Sequence, residues 1–190
     1  MPSFPIHTTE TAPPPSRPRL QAAETRYGFL PNLLGGLAEA PAALDGYLTL
    51  AGILDTSTLS QAEKEVLFLA ASVVNNCGYC VAAHSTAADL TLPAGQVAAL
   101  RAGRPLADPK LEALRRFTEA LMIKQGWVED DEVEAFLDAG YGRGQVLEVV
   151  LGIALKTISN YANHLIGTPL DAAIASRAWA QGGPGLSKSA

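Results

Sequence analysis

The sequence predicts an all-α protein, and three observations carry that prediction. Between residues 19 and 180 apolar residues recur at helical spacing. No stretch alternates apolar and polar residues for long enough to build a sheet. Several segment starts carry helix-capping residues or a proline suited to a first turn. At 190 residues the chain can bury a substantial core, as one domain or two closely packed halves.

Residues 1–18, rich in proline and threonine, are expected to form an extended arm rather than a packed element, and His7 within it is assigned no role. A single domain is expected over 19–181, with a first half at about 41–102 and a second at about 108–180. Its helices are placed at 19–26, 30–38, 41–54, 60–75, 77–89, 93–102, 108–125, 129–138, 143–165 (with a break near 159) and 169–180. Ser60 and Glu63 form a capping-box pattern, Asp130 is the expected cap of the acidic helix, and Pro41, Pro93 and Pro109 suit first turns. "GGPGLSKSA", residues 182–190, reads as a flexible tail.

Composition narrows the function. A net charge of −5 with 17% charged residues leaves no basic footprint, which argues against nucleic-acid binding. The most apolar segment, "VLEVVLGIAL", carries Glu148 and is too short to span a membrane. The N-terminus lacks the basic start and apolar run of a secretory signal, so cytoplasmic residence is expected. In that compartment closely spaced cysteines tend to be reactive or metal-binding. Hydrophobic residues at 48% suggest surface buried between subunits, hence a homo-oligomer.

A weak internal repeat is present. "EVLFLAASVVNNCGYC" (65–80) overlays "EVVLGIALKTISNYAN" (148–163) at an offset of 83, pairing Glu65 with Glu148, Cys77 with Asn160 and Cys80 with Asn163. Two pseudo-equivalent helical halves, with chemistry retained in the first, follow from it. Asn160, Asn163 and His164 would bond between the halves or line the cleft. Trp127 and Trp179 read as packing or subunit-interface residues.

Both cysteines lie in "NNCGYCVAAH", residues 75–84. With Asn76 as the expected N-cap, Cys77 opens a helix and Cys80 lies one turn in. At roughly 100° per residue, Cys77, Cys80 and His84 share an arc of about 60°, with Tyr79 directed elsewhere. The positive end of a helix favours thiolate over thiol, and a histidine one turn from Cys80 can take its proton. On the preceding apolar helix, Glu65 needs a partner for its buried charge. If the two helices pack antiparallel, Glu65 lies about 15 Å back from the turn and His84 about 10 Å beyond it, within one helical turn of each other. Glu65 would then orient His84 toward Cys80 as nucleophile, base and orienter. Inert buried thiols, or a zinc site using Cys77, Cys80, His84 and Glu65, are the other readings of the same residues.

The spacing Glu-x11-Cys-x2-Cys-x3-His, met by Glu65, Cys77, Cys80 and His84, resembles the AhpD-like alkylhydroperoxidases of the carboxymuconolactone decarboxylase superfamily. "GFLPNLLGGLAEAPAALDGYLTL" and "NYANHL" also look like its longer, peroxidase-related members. The resemblance implies an all-α fold of two related halves and no cofactor or metal. It also implies a peroxidase in which Cys80 attacks a hydroperoxide, Cys77 resolves the sulfenic acid as a disulfide, and Glu65 with His84 relays protons. A dithiol reductant or reducing protein would be the partner. One departure is Tyr79, where well-characterised members can have histidine. A redox-sensing or partner-binding protein, or a carboxymuconolactone-decarboxylase-type enzyme, is the alternative.

Overall fold

The structure is a computed structural model that describes residues 3–180. The expected tail at 182–190 lies outside the described residues. Nine α-helices and no strand are found among them: α1 (Arg17–Tyr27), α2 (Asn32–Leu37), α3 (Pro41–Asp55), α4 (Gln61–Val74), α5 (Gly78–Ala88), α6 (Ala94–Arg101), α7 (Pro109–Ile123), α8 (Asp130–Asp138) and α9 (Arg143–Ile166).

Helix α4 is the axis of the fold. Ser60 and Glu63 close a reciprocal capping box at its start, and residues 63–72 are buried without interruption. A helix apolar on every side belongs inside, and α4 is enclosed by α5, α6, α7 and α9. Around it one apolar cluster joins Leu67, Leu69, Leu114, Phe117, Phe136 and Val149. A second cluster, built from α1, α2 and α3, packs against Cys77, Tyr79 and Cys80.

Helix α9 approaches α4 at Gly152, where a β-carbon would lie 2.6 Å from Leu67 Cδ2. Leu67 is fully buried and has nowhere to turn. Gly152→Val is therefore expected to destabilise the protein by about 3 kcal/mol, overpacking outweighing the gain in helix propensity. Urea denaturation measures it, and a midpoint at or above that of the wild type would contradict this packing.

Four expectations are corrected. Residues 3–16 are not a free arm: His7 N donates to Gly35 O, His7 Nε2 lies 2.7 Å from Glu39, and Ser16 Oγ donates to buried Ala38 O. The acidic helix α8 is capped by Glu129 rather than Asp130, and α9 runs unbroken through Ser159. The helix expected at 169–180 is instead a 3-10 turn, Ala172–Arg177. Gly167, at φ +66°, ends α9. Beyond it, the Arg177 and Ala178 carbonyls are drawn outward to accept from Arg101.

The repeated segments are not alike in conformation. Residues 65–80 cross the turn between α4 and α5, whereas 148–163 lie within continuous α9. The overlaid positions nevertheless meet, because Asn163 lies against Cys80.

Candidate active site

The turn that carries the cysteines is a Schellman motif closing α4. Asn76 N donates to Val73 O and Cys77 N to Ser72 O, with Asn76 left-handed at φ +53°. Asn76 thus ends α4 instead of capping α5, a correction to the expected register. Cys77 itself takes the N-cap position and Cys80 lies in the first turn. Both are free thiols and buried, at 1% and 2% exposure.

Because α5 folds back on α4, Glu65 and His84 meet: Glu65 Oε2 lies 3.0 Å from His84 Nδ1. Gln61 donates to the other carboxylate oxygen. The opposite face of the imidazole belongs to a residue that sequence reasoning missed. Lys156, 1% exposed, places Nζ 2.7 Å from His84 Nε2 and 5.5 Å from the Phe68 ring centre. With the lysine as donor, His84 is the Nδ1–H tautomer and donates to Glu65. Lys156, His84 and Glu65 thus form one hydrogen-bonded chain. Both ring nitrogens are engaged, so His84 makes no direct hydrogen bond to Cys80; it acts on the thiol through space.

The direct neighbour of Cys80 is Asn163, whose Nδ2 donates to Cys80 Sγ at 3.2 Å and reaches Cys77 Sγ at 3.8 Å. Asn163 Oδ1 is buried and has no partner among the described residues. Asn160 accepts from Asn75 and donates to Ser72, tying α9 to the turn. Glu148, the counterpart of Glu65, accepts from Thr58 N and Oγ1 and stands apart from the site.

The two thiols are driven apart in acidity. The hydrogen bond from the Cys77 thiol holds Cys80 well below the usual thiol range, with the Lys156 charge and His84 adding to it against burial. The same bond, with burial, pushes Cys77 well up. These opposed directions favour ionisation at Cys80, with the Cys77 thiol as the donor beside it.

Tyr79 is turned to Asp171 and α2 rather than to His84. Its hydroxyl is buried, donates to Asp171 Oδ2 at 2.5 Å and accepts from Leu33 N, while burial raises its pKa. Asp171 Oδ1 accepts in turn from Asn32 N. Tyr79 therefore pins α5 to α2 and to the segment after α9. That segment runs over the start of α5, where the Trp179 carbonyl sits 3.0 Å from the site of a β-carbon on Gly78. Trp179 Nε1 donates to Arg101 O, a packing role, whereas Trp127 is 85% exposed. Among the described residues, no three His, Cys, Asp or Glu side chains form a metal-binding group. No described helix is long and apolar enough to cross a membrane.

Residues 38–120 match the carboxymuconolactone decarboxylase family. No curated protein matches the sequence significantly. Solved structures share the fold. An AhpD-core, peroxidase-related protein from Ralstonia eutropha JMP134 superposes with a TM-score of 0.77 at 23% identity, over 89% of this chain and 92% of that one. A peroxidase-related protein from Silicibacter sp. TM1040 gives 0.76 at 18% identity, over 90% and 91%. A variant of the debrominase Bmp8 in complex with 2,3,4-tribromopyrrole gives 0.76 at 18% identity, over 93% and 95%. At such identities the likeness is one of fold. With the family match over residues 38–120 and the Glu-Cys-Cys-His spacing on α4 and α5, the chain is similar to the carboxymuconolactone decarboxylase family and shares its fold with the AhpD-core, peroxidase-related structures.

Proposed function

We propose that the protein is a thiol-dependent peroxidase acting on hydrogen peroxide or small organic hydroperoxides. The observation that carries this reading is the unequal thiol pair: a Cys80 thiolate held by Cys77 and Asn163 beside the buried Lys156–His84–Glu65 chain. Cys80 attacks the distal peroxide oxygen and the O–O bond breaks. Cys80 becomes a sulfenic acid, and the leaving alkoxide or hydroxide takes a proton from the Lys156–His84 pair. The Cys77 thiol then displaces water from the sulfenic acid to form the disulfide. A dithiol reductant returns both thiols and leaves as its own disulfide. The unpartnered Asn163 Oδ1 can accept the hydroperoxide O–H, and the burial of both thiols favours small oxidants over large ones.

The test follows both stages in one sample. With excess lipoamide-type dithiol, the protein is expected to consume hydroperoxide over many turnovers and to cycle through a Cys77–Cys80 disulfide seen by mass spectrometry. One equivalent of peroxide consumed, with a stable disulfide and no turnover across thioredoxin, glutathione and lipoamide donors, favours a redox sensor. Unoxidised thiols, or stoichiometric zinc in the pure protein, sink the peroxidase reading.

A further inference from the structure

The segment after α9 is fastened over the thiol pair. Its 3-10 turn, Ala172–Arg177, lies along α5. Ile174 is buried and joins the apolar cluster that holds Cys77, Tyr79 and Cys80. Further on, the Trp179 carbonyl passes over Gly78, the residue next to Cys77, where a β-carbon would lie 3.0 Å from it. A side chain at 78 would press the segment outward, and glycine lets it close.

Polar contacts hold the segment at both ends. Asp171 accepts from the Tyr79 hydroxyl and from Asn32 N. Arg101, the last residue of α6, donates to Arg177 O and Ala178 O at 3.1 Å each. Its own carbonyl accepts from Trp179 Nε1 at 2.9 Å. The same guanidinium donates to Ser85 Oγ on α5 at 2.7 Å. Arg177 in turn pairs with Asp89, just past α5, through Nε at 2.8 Å. Arg101 is therefore a latch that ties the segment to α5 and α6.

The latch bears on the reductive half of the proposed thiol cycle, and the inference rests on that cycle. Thiol–disulfide exchange favours expulsion of the more acidic thiol. In a Cys77–Cys80 disulfide that thiol is Cys80, with Asn163 as its donor and the Lys156 charge nearby. One thiolate of the dithiol bonds to Cys77 Sγ, the S–S bond breaks, and Cys80 leaves as thiolate. The second thiol then closes the reductant's own disulfide, and Cys77 leaves with its proton. Cys77 Sγ is thus the atom a reductant must touch, and Cys77 is buried beside the covered Gly78. A dithiol on a small flexible molecule needs a narrow approach. A dithiol on the surface of a folded protein needs the residues flanking Cys77 uncovered.

We infer that Arg101 and the segment 171–179 set the reductant specificity of the site, holding protein dithiols away from Cys77 while small dithiols reach it. The full chain, oxidised with diamide so that no peroxide is needed, is reduced in parallel by thioredoxin and by dithiothreitol. Arg101→Gln, with circular dichroism unchanged, is expected to raise the thioredoxin rate constant about tenfold and the dithiothreitol one less than about twofold. Trp179→Phe keeps an aromatic ring, removes the N–H bond to Arg101, and should shift the same ratio by about threefold. It decides the matter if Arg101→Gln does not fold. Labelling of the reduced thiols is a second readout: a polymer-linked maleimide should gain rate in Arg101→Gln, and N-ethylmaleimide little. Single-turnover consumption of hydrogen peroxide should stay the same, since Arg101 bonds to neither thiol. Equal acceleration of both reductants, or of neither, in the folded variants would overturn the inference. A shifted ratio in a protein that never turns over peroxide would uphold it and remove the peroxidase reading alone. Failure of diamide to join Cys77 to Cys80 would overturn both.

Discussion

Cys80→Ser is expected to abolish hydroperoxide turnover, lowering kcat by about a thousandfold or more, because a serine hydroxyl stays protonated where a thiol ionises. The arrangement around Sγ is built for an anion. Asn163 donates to it, the Cys77 thiol donates to it, and the Lys156 charge stands behind His84. None of these makes a hydroxyl nucleophilic at neutral pH. Cys77→Ser should behave differently. It keeps a hydroxyl donor beside Cys80, so one equivalent of peroxide still oxidises Cys80, but oxidation stops at the sulfenic acid, trappable with dimedone. Stopped-flow consumption of peroxide with mass spectrometry separates the two variants. Wild-type-like turnover by Cys80→Ser would remove the thiol mechanism altogether.

The pairing of Glu65 with His84 was legible in the sequence because helix geometry alone sets it. A carboxylate on a buried helix and a histidine on the next, at nearly equal distances from one turn, have few other partners. The register of that turn was less legible. Asparagine suits both an N-cap and a left-handed C-terminal position, and at Asn76 the end of α4 claims it. The proline-rich start reads as solvent-loving, yet it is docked by a backbone bond to Gly35 that no side-chain pattern announces. Lys156 was the largest omission. It lies 72 residues from His84, and a lysine reads by default as a surface residue. Its only signal was local: a lone cation in "LGIALKTISNYAN", on a helix whose inner face is otherwise uncharged.

Lys156→Met gives the second large effect, and the sign follows from the acidity of Cys80. Removing a nearby cation raises a thiol's pKa, so thiolate formation at Cys80 should move up by about one pH unit or more. Ultraviolet thiolate absorbance reads that change, and the acid limb of the pH profile of peroxide reduction should move to higher pH with it. Melting temperature is a poor guide to the same substitution. A buried lysine replaced by an apolar chain of similar length relieves a desolvation cost, and that gain opposes the loss of the lysine's contact with His84. The pH dependence of stability is cleaner. A thiol whose folded pKa is depressed stabilises the fold above its unfolded pKa, about 8.5, and loses that contribution as pH falls through the folded value. A smaller depression in Lys156→Met therefore means less stability gained on the alkaline side, by about 1.4 kcal/mol for each pH unit that the Cys80 titration moves. Lys156→Arg keeps the charge and should restore most of the thiolate's acidity. An unmoved thiolate titration in Lys156→Met would show that Lys156 only fills space, and that Cys77, Asn163 and His84 hold the anion without it.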